Sequence, residues 1–289
     1  MMDSKIAKVR IGLGCVTFGR EIGEDQSCRI LDYAWQNGVR LFDTAEAYAD
    51  GESERILGKW MASRGKASEA LVMTKASFRF DAAGILEAAS RSLDRLRIGS
   101  AAYYLLHRFE RSVPLEAQLA ALHALKQQGL IQYAGCSNFN VVQLRQALAI
   151  AKIDVLQNMY SLAAREQEGE TMGECLHSGV AFVAFSPLAA GFLTGKYGRE
   201  IPKGTRFDIV PGHRDIYFSD ANFALVDRLR ALAAETGISA VNLAIGWVLK
   251  NPNIVCVLVG ARETDHVANA LDCLRDPAPA EVFDRMDAW

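Results

Sequence analysis

Residues 70–107 read ALVMTKASFRFDAAGILEAASRSLDRLRIGSAAYYLLH. An apolar run, 70–74, ends on Lys75. Residues 79–96 then place Ile85, Ala89, Leu93 and Leu96 at three- and four-residue steps, the signature of one buried helical stripe. A second apolar run, 102–106, ends on His107. Strand, helix and strand in this order make a parallel βαβ unit with a right-handed crossover.

Outward from this unit the alternation continues. Strands are predicted at 9–13, 40–42, 70–74, 102–106, 132–136, 154–157, 181–185 and 254–258. Between them, residues 113–129 carry Leu115, Leu119, Leu122 and Leu125, with Gly129 as a helix stop. Residues 239–250 open on Ser239 as an N-cap and end before Asn251-Pro252. Each strand is followed by at least one helix, and no linker, repeat or low-complexity stretch interrupts the series. The prediction is an α/β chain folded as one closed (β/α)8 TIM barrel, a single domain over 1–289. A doubly wound open sheet satisfies the same alternation, and length alone also suits two average domains.

Composition narrows the partners. Half the residues are hydrophobic and 23% charged, ordinary for a soluble globular enzyme with a sizeable core. Lys and Arg total 32 against 34 Asp and Glu, without a basic run or acidic tail, which argues against a nucleic-acid partner. The cysteines (Cys15, Cys28, Cys136, Cys175, Cys256, Cys273) are scattered with no C-x-x-C pair and read as reduced thiols of a cytoplasmic protein. Lys5, Lys8 and Arg10 precede an apolar run too short and glycine-broken for a signal peptide. No apolar run reaches the roughly 18 residues of a membrane span.

In a (β/α)8 barrel the chemistry sits at the C-terminal ends of the strands. Unusual residues end nearly every predicted strand here: Asp43, Lys75, His107, Ser137 with Asn138, Gln157, and Gly260 with Arg262. Each alone reads as the first solvated loop residue; as a series, a barrel makes them neighbours on one rim. A carbonyl that accepts hydride builds negative charge on oxygen and needs a proton. Tyr48, five residues beyond Asp43, carries one, although a free phenol titrates near ~10. A nearby Lys75 ammonium would lower that value, Asp43 would hold the lysine, and His107 would hydrogen-bond the carbonyl oxygen. The plainer reading of Tyr48 is an aromatic packed on Trp35 or Phe42.

Together these residues resemble the aldo-keto reductase superfamily over nearly the whole chain. Phe42-Asp43-Thr44-Ala45-Glu46-Ala47-Tyr48 followed by Gly51-Glu52-Ser53-Glu54 is similar to the family's aspartate–tyrosine signature. Val72-Met73-Thr74-Lys75 and Tyr103-Tyr104-Leu105-Leu106-His107-Arg108 resemble its lysine and histidine strands. Gly135-Cys136-Ser137-Asn138-Phe139, Ser186-Pro187-Leu188 and the stretch 191–197 match further family segments. The resemblance implies Tyr48 as general acid, Lys75 and Asp43 as its tuning pair, and His107 as the orienting residue. It implies a nicotinamide cofactor extended across the barrel mouth. Ser137, Asn138 and Gln157 would hold the carboxamide, and Phe185 would stack on the ring where many relatives use tyrosine. Cys15, Val16 and Asp43 would lie beside the cofactor, Ser186, Leu188, Lys196 and Arg206 on its pyrophosphate side. Gly260, Arg262 and His266 would meet the adenosine end. Gly12-Leu13-Gly14 is not a Rossmann fingerprint.

The adenosine end departs from the family. Asn269 and Ala270 stand where many relatives carry Glu and Asn, and Glu263 adds a negative charge beside the proposed phosphate site. NADP(H) is preferred, with NAD(H) as the alternative. The family's N-terminal hairpin is reduced to a stub before Val9, the C-terminal tail is short, and the loop 108–114 is short. These predict an open, shallow pocket for a small carbonyl or sugar substrate, with a monomer as the default. Cys15 and Cys136 read as inert packing. Two other readings compete. One is a cofactor-binding regulatory subunit of the potassium-channel-associated type, whose members typically lack a histidine at the His107 position and carry an extra N-terminal segment. The other is a barrel aldolase using Lys75 as a Schiff base.

Overall fold

A strand's side chains alternate between faces, so every second residue of each apolar run points to the barrel axis and the others to the surrounding helices. The computed structural model describes Ile6 and residues 9–289. Its strands are β1 (Ile11–Gly14), β2 (Leu41–Asp43), β3 (Leu71–Ala76), β4 (Ala101–Leu106), β5 (Ile131–Ser137), β6 (Val155–Met159), β7 (Ala181–Phe185) and β8 (Ile254–Gly260). They form a closed barrel in chain order, all parallel, with β8 pairing back onto β1. This is the predicted (β/α)8 architecture, and it rules out the open sheet. Leu41, Met73, Tyr103, Leu105, Val155 and Val183 fill the axis, while Phe42, Val72, Tyr104, Leu106, Leu156 and Phe182 join the outer core. Ile6 packs in the inner cluster, its N–H donating to the Tyr103 hydroxyl at 3.0 Å. The expected N-terminal hairpin stub otherwise lies outside the described residues.

The helices are α1 (Glu24–Gln36), α2 (Glu52–Arg64), α3 (Ala82–Leu96), α4 (Leu115–Gln127), α5 (Val141–Ile150), α6 (Glu170–Ser178), α7 (Arg206–Ile209), α8 (His213–Tyr217), α9 (Asp220–Thr236), α10 (Ala240–Lys250), α11 (Thr264–Arg275) and α12 (Ala280–Asp287). Local chemistry sets their starts. Asp81 caps α3 by accepting from the Gly84 N–H at 3.0 Å, so the helix begins later than the predicted residue 79. Ser239 caps α10 as its position predicts. Helices α2 and α3 touch at Gly58, where a Cβ would lie 2.3 Å from the Arg95 carbonyl oxygen. Nearby, the fully buried Glu54 accepts from the Thr74 hydroxyl and the Arg95 guanidinium, each at 2.6 Å, tying α2 to β3 and α3.

Two features position the site. First, several strands run further toward their C-terminal ends than the apolar runs predict. Asp43, Lys75, Ser137 and Gly260 are therefore still in the sheet, not the first loop residues beyond it. For Asp43 and Lys75 the polar side chains find partners inside the barrel, so the ladder continues past the last apolar residue. Second, the β7–α9 connection, residues 186–219, folds over the barrel mouth through a 3-10 segment (Ala189–Thr194), α7 and α8. Among the described residues no single helix is long and apolar enough to cross a membrane, and no cluster of His, Cys, Asp and Glu suits a metal ion.

Candidate active site

Period-two alternation carries inner-face positions up to the rim: Leu41 leads to Asp43, Met73 to Lys75, and Leu105 to His107. The Lys75 ammonium is fully buried and donates to Asp43 Oδ1 at 2.7 Å and the Thr44 carbonyl at 2.8 Å; it lies 3.4 Å from the Tyr48 hydroxyl. Gln157 Nε2 donates to the same Asp43 oxygen at 2.7 Å. The Tyr48 ring meets His107 edge-on with centroids 5.7 Å apart. Trp35, Phe42 and Trp60 pack on one another elsewhere, which removes the plainer reading of Tyr48 as their partner. The four residues expected to act together are brought together.

Their electrostatics correct one expectation. Lys75 was expected to lower the Tyr48 pKa, but burial raises it and Asp43 adds to that rise, so the net shift is upward despite the lysine. Burial is the main reason; in addition the ammonium, 2.7 Å from Asp43 and 3.4 Å from Tyr48, is already paired, so the aspartate offsets part of what the lysine offers the phenol. Tyr48 thus keeps its proton at neutral pH. Burial by itself lowers the lysine's pKa, yet Asp43 and Tyr48 outweigh it and the ammonium is held. A protonated amine with three oxygens around it leaves no nucleophile for a Schiff base, and Lys75 does not line the cavity.

Burial, with help from Lys75 and Arg108, lowers His107 to about 3, so the imidazole is neutral and its tautomer matters. Ser77 Oγ lies 2.6 Å from His107 Nδ1 and 3.5 Å from the Lys75 carbonyl. We assign the serine proton to the nearer acceptor, Nδ1, which leaves Nε2 as a donor. Glu46, 3% exposed, accepts from the Ser77 N–H at 2.7 Å and the Phe78 N–H at 3.3 Å, fixing the loop after β3. Ala49 and Asp50, directly after Tyr48, both adopt left-handed φ (49° and 51°), and Asn138 and Ser186 do so on neighbouring loops. Such residues cost about 1–3 kcal/mol each and concentrate at functional sites.

These groups open on a cavity of about 520 Å³ at the C-terminal mouth of the barrel. Val16, Asp43, Ser137, Asn138, Gln157, Phe185, Ser186, Leu188, Lys196, Arg206, Gly260, Arg262 and His266 all line it, as does Asn269. Cys15 does not. It lies fully buried behind the wall, and burial holds its thiol well above the ordinary cysteine range. Cys136 is equally buried and raised, so neither thiol is activated. His266 Nδ1 accepts from the Arg262 N–H at 3.1 Å, and burial with the Lys196 and Arg262 charges lowers its pKa, making it a neutral donor through Nε2.

The sequence reading missed Thr17, Tyr197, His213 and above all Glu21. The Glu21 side chain is 1% exposed, lines the cavity, accepts from Arg20 at 2.7 Å and pairs with Arg206. Glu263, the acid that the sequence pointed to, is exposed and accepts from Gln26 at 2.7 Å. Burial lowers both Lys196 and Arg206, and the neighbouring Arg262 adds to the effect on each. Arg20, Arg206 and Arg262 thus gather around one carboxylate and Lys196 lines the same cavity, an excess of positive charge that calls for an anionic ligand. Carboxamide-like groups at Asn138 and Gln157, a ring at Phe185 and this cation cluster fit a nicotinamide dinucleotide.

A closed parallel barrel with this aspartate, lysine, tyrosine and histidine at its mouth defines an oxidoreductase class. The chain belongs to the Aldo/keto reductase family, whose profile matches residues 10–289. A probable voltage-gated potassium channel subunit beta of Oryza sativa subsp. japonica is 31% identical, over 94% of this chain and 90% of its own. Versiconal hemiacetal acetate reductase of Aspergillus parasiticus is 29% identical over 93% and 90%. Among solved structures, a glycerol dehydrogenase of Gluconobacter oxydans aligns with a TM-score of 0.84 at 27% identity, covering 96% of this chain and 90% of its own. An aldo-keto reductase of Bacillus halodurans follows at 0.81 and 25%, covering 96% and 91%.

Proposed function

We propose that this protein reduces a small aldehyde, ketone or sugar carbonyl, or oxidises the corresponding alcohol, with Tyr48 as general acid and base. The observation that carries the reading is the buried Asp43–Lys75–Tyr48 contact beside a neutral His107, opening on a cavity that also holds the cation cluster. A nicotinamide dinucleotide bound there would supply or accept the hydride. Ser137, Asn138 and Gln157 would hold its carboxamide, Phe185 its ring, and Ser186, Leu188, Lys196 and Arg206 its phosphates. Arg262 and His266 support NADP(H) as the preferred carrier, with NAD(H) accepted.

His107 Nε2 donates a hydrogen bond to the carbonyl oxygen and sets its direction. Tyr48 passes its phenolic proton to that oxygen as the oxygen gains charge, and Lys75 offsets the phenolate left behind. Asp43 keeps the lysine in place throughout. The oxidative direction needs the deprotonated phenol, so the raised Tyr48 pKa makes that direction favour alkaline pH. The six free cysteines, five of them buried, support a reducing compartment such as the cytoplasm.

Similarity to a channel subunit makes cofactor binding without significant turnover the second reading. A screen of NADPH oxidation over aldehydes, ketones and sugars separates the two. Turnover that falls about 10²–10⁴-fold in Tyr48→Phe supports the reductase. Tight cofactor binding with no turnover on any class supports the binding subunit.

A further inference from the structure

Glu21 lies on the turn after β1, closed by a bridge between Phe18 and Ile22 and by its own N–H donating to the Thr17 carbonyl at 2.9 Å. Oε1 is engaged by Arg20 and Arg206, while Oε2 sits 3.9 Å from an Arg262 nitrogen. Oε2 is buried and accepts no hydrogen bond, and His213 Nδ1, which lines the same cavity, is likewise unpartnered. A buried acceptor without a donor is costly, and here it faces the place where the cofactor's anionic end is read.

We propose that Glu21 is a specificity residue of this cavity: its carboxylate offsets Arg206 and Arg262, disfavours the extra phosphate of a 2′-phosphorylated dinucleotide, and keeps the unphosphorylated carrier competitive. The inference rests on reading the cavity as a nicotinamide-dinucleotide site. The diphosphate is common to both carriers, so Glu21 acts on it equally in each. A 2′-phosphate adds about 1.5–2 further negative charges, and only the phosphorylated carrier meets the carboxylate with them. An acid that accepts from a ribose hydroxyl is the usual chemical means of favouring the unphosphorylated form. The free Oε2 is such an acceptor, and Arg262, the cation suited to the phosphate, is the one it faces.

The test is calorimetric titration of the full chain with NADPH and with NADH, for wild type and Glu21→Gln, at low and high salt. The ratio of Kd for NADH to Kd for NADPH should rise at least about tenfold in the glutamine variant, mainly through tighter NADPH, and the gain should shrink with salt. Glu21→Asp, which keeps the charge, should stay within about threefold of the wild-type ratio, and Arg262→Gln should lower that ratio. If Glu21→Gln folds poorly, Glu21→Ala, read by the same ratio, decides the matter. A ratio unmoved by Glu21→Gln, or both carriers weakened alike, overturns the assignment and leaves the site reading standing. Wild type binding neither carrier overturns both.

Discussion

Replacing Lys75 by methionine separates what the buried ammonium does for the fold from what it does for the chemistry. Its amine donates to Asp43 and Thr44 and lies beside Tyr48, with no solvent exposure. Methionine approximates the volume but leaves the Asp43 carboxylate with Gln157 as its remaining side-chain partner. Breaking a buried ion pair from one side costs about 3–5 kcal/mol, because the other charge is stranded. At about 2 cal/mol/K of unfolding entropy per residue, a loss of about 4 kcal/mol lowers the Tm of a chain this long by about 7 °C. Adding Asp43→Asn removes the stranded charge, so the double variant should regain about 2 kcal/mol or more. Turnover should not return with it, because Tyr48 still lacks its cation, and carbonyl reduction should stay about 10²–10⁴-fold down. Urea or thermal unfolding reads the first effect and steady-state kinetics the second. A Lys75→Met protein melting within about 2 °C of wild type, or a double variant that recovers turnover together with stability, would refute the reasoning.

Three further predictions use other parts of the site and its support. His107 is held near about 3 in the folded chain against about 6.5 unfolded, so between those values the unfolded chain binds the extra proton. Stability should therefore fall as pH drops below about 6.5, and His107→Gln should flatten that slope; an equal slope in both proteins excludes the buried neutral imidazole. Ser77→Ala removes the group assigned to Nδ1, and should lower kcat/KM about tenfold, the value of one hydrogen bond, with Tm nearly unchanged. Rescue by Ser77→Thr is expected, and unchanged kcat/KM in the alanine variant contradicts the assigned tautomer. Arg95→Met strands the fully buried Glu54 with only the Thr74 hydroxyl and should cost about 3 kcal/mol in urea unfolding. A loss below about 1 kcal/mol would show that Glu54 takes up a proton instead.

Much of the fold was legible because a barrel repeats one local rule. All eight predicted strands exist, in order, since each is an apolar run followed by a helical stripe. What the pattern misplaced was where strands stop. Apolarity ends at Phe42 and Thr74, but pairing does not: Asp43 is still opposite Met73, and Lys75 opposite Leu105. A polar residue whose partners lie inside the barrel extends a strand, and a hydrophobicity reading cannot see those partners. The late start of α3 has a similar cause, because the Asp81 cap settles the helix start over the looser periodicity that begins at Arg79.

The site divides along the same line. Asp43, Lys75 and His107 were readable because they occupy equivalent places, the strand ends of successive βα units, separated by about one repeat each. Periodicity brings them together whatever the loops do. Glu21 has no such place. In the sequence, Thr17-Phe18-Gly19-Arg20-Glu21 is a glycine-containing turn with a neighbouring Arg-Glu pair, which reads as a solvated surface. It becomes a buried acid only because the 186–219 connection crosses the barrel mouth and delivers Arg206 from 185 positions away. The same crossing seals Lys196 and His213 into the cavity wall. Residues set by the repeat are the ones that the proposed proton transfer uses. Residues brought in by the closing loop carry the charge balance around Glu21, and on the proposed reading that balance is what would set the choice of carrier.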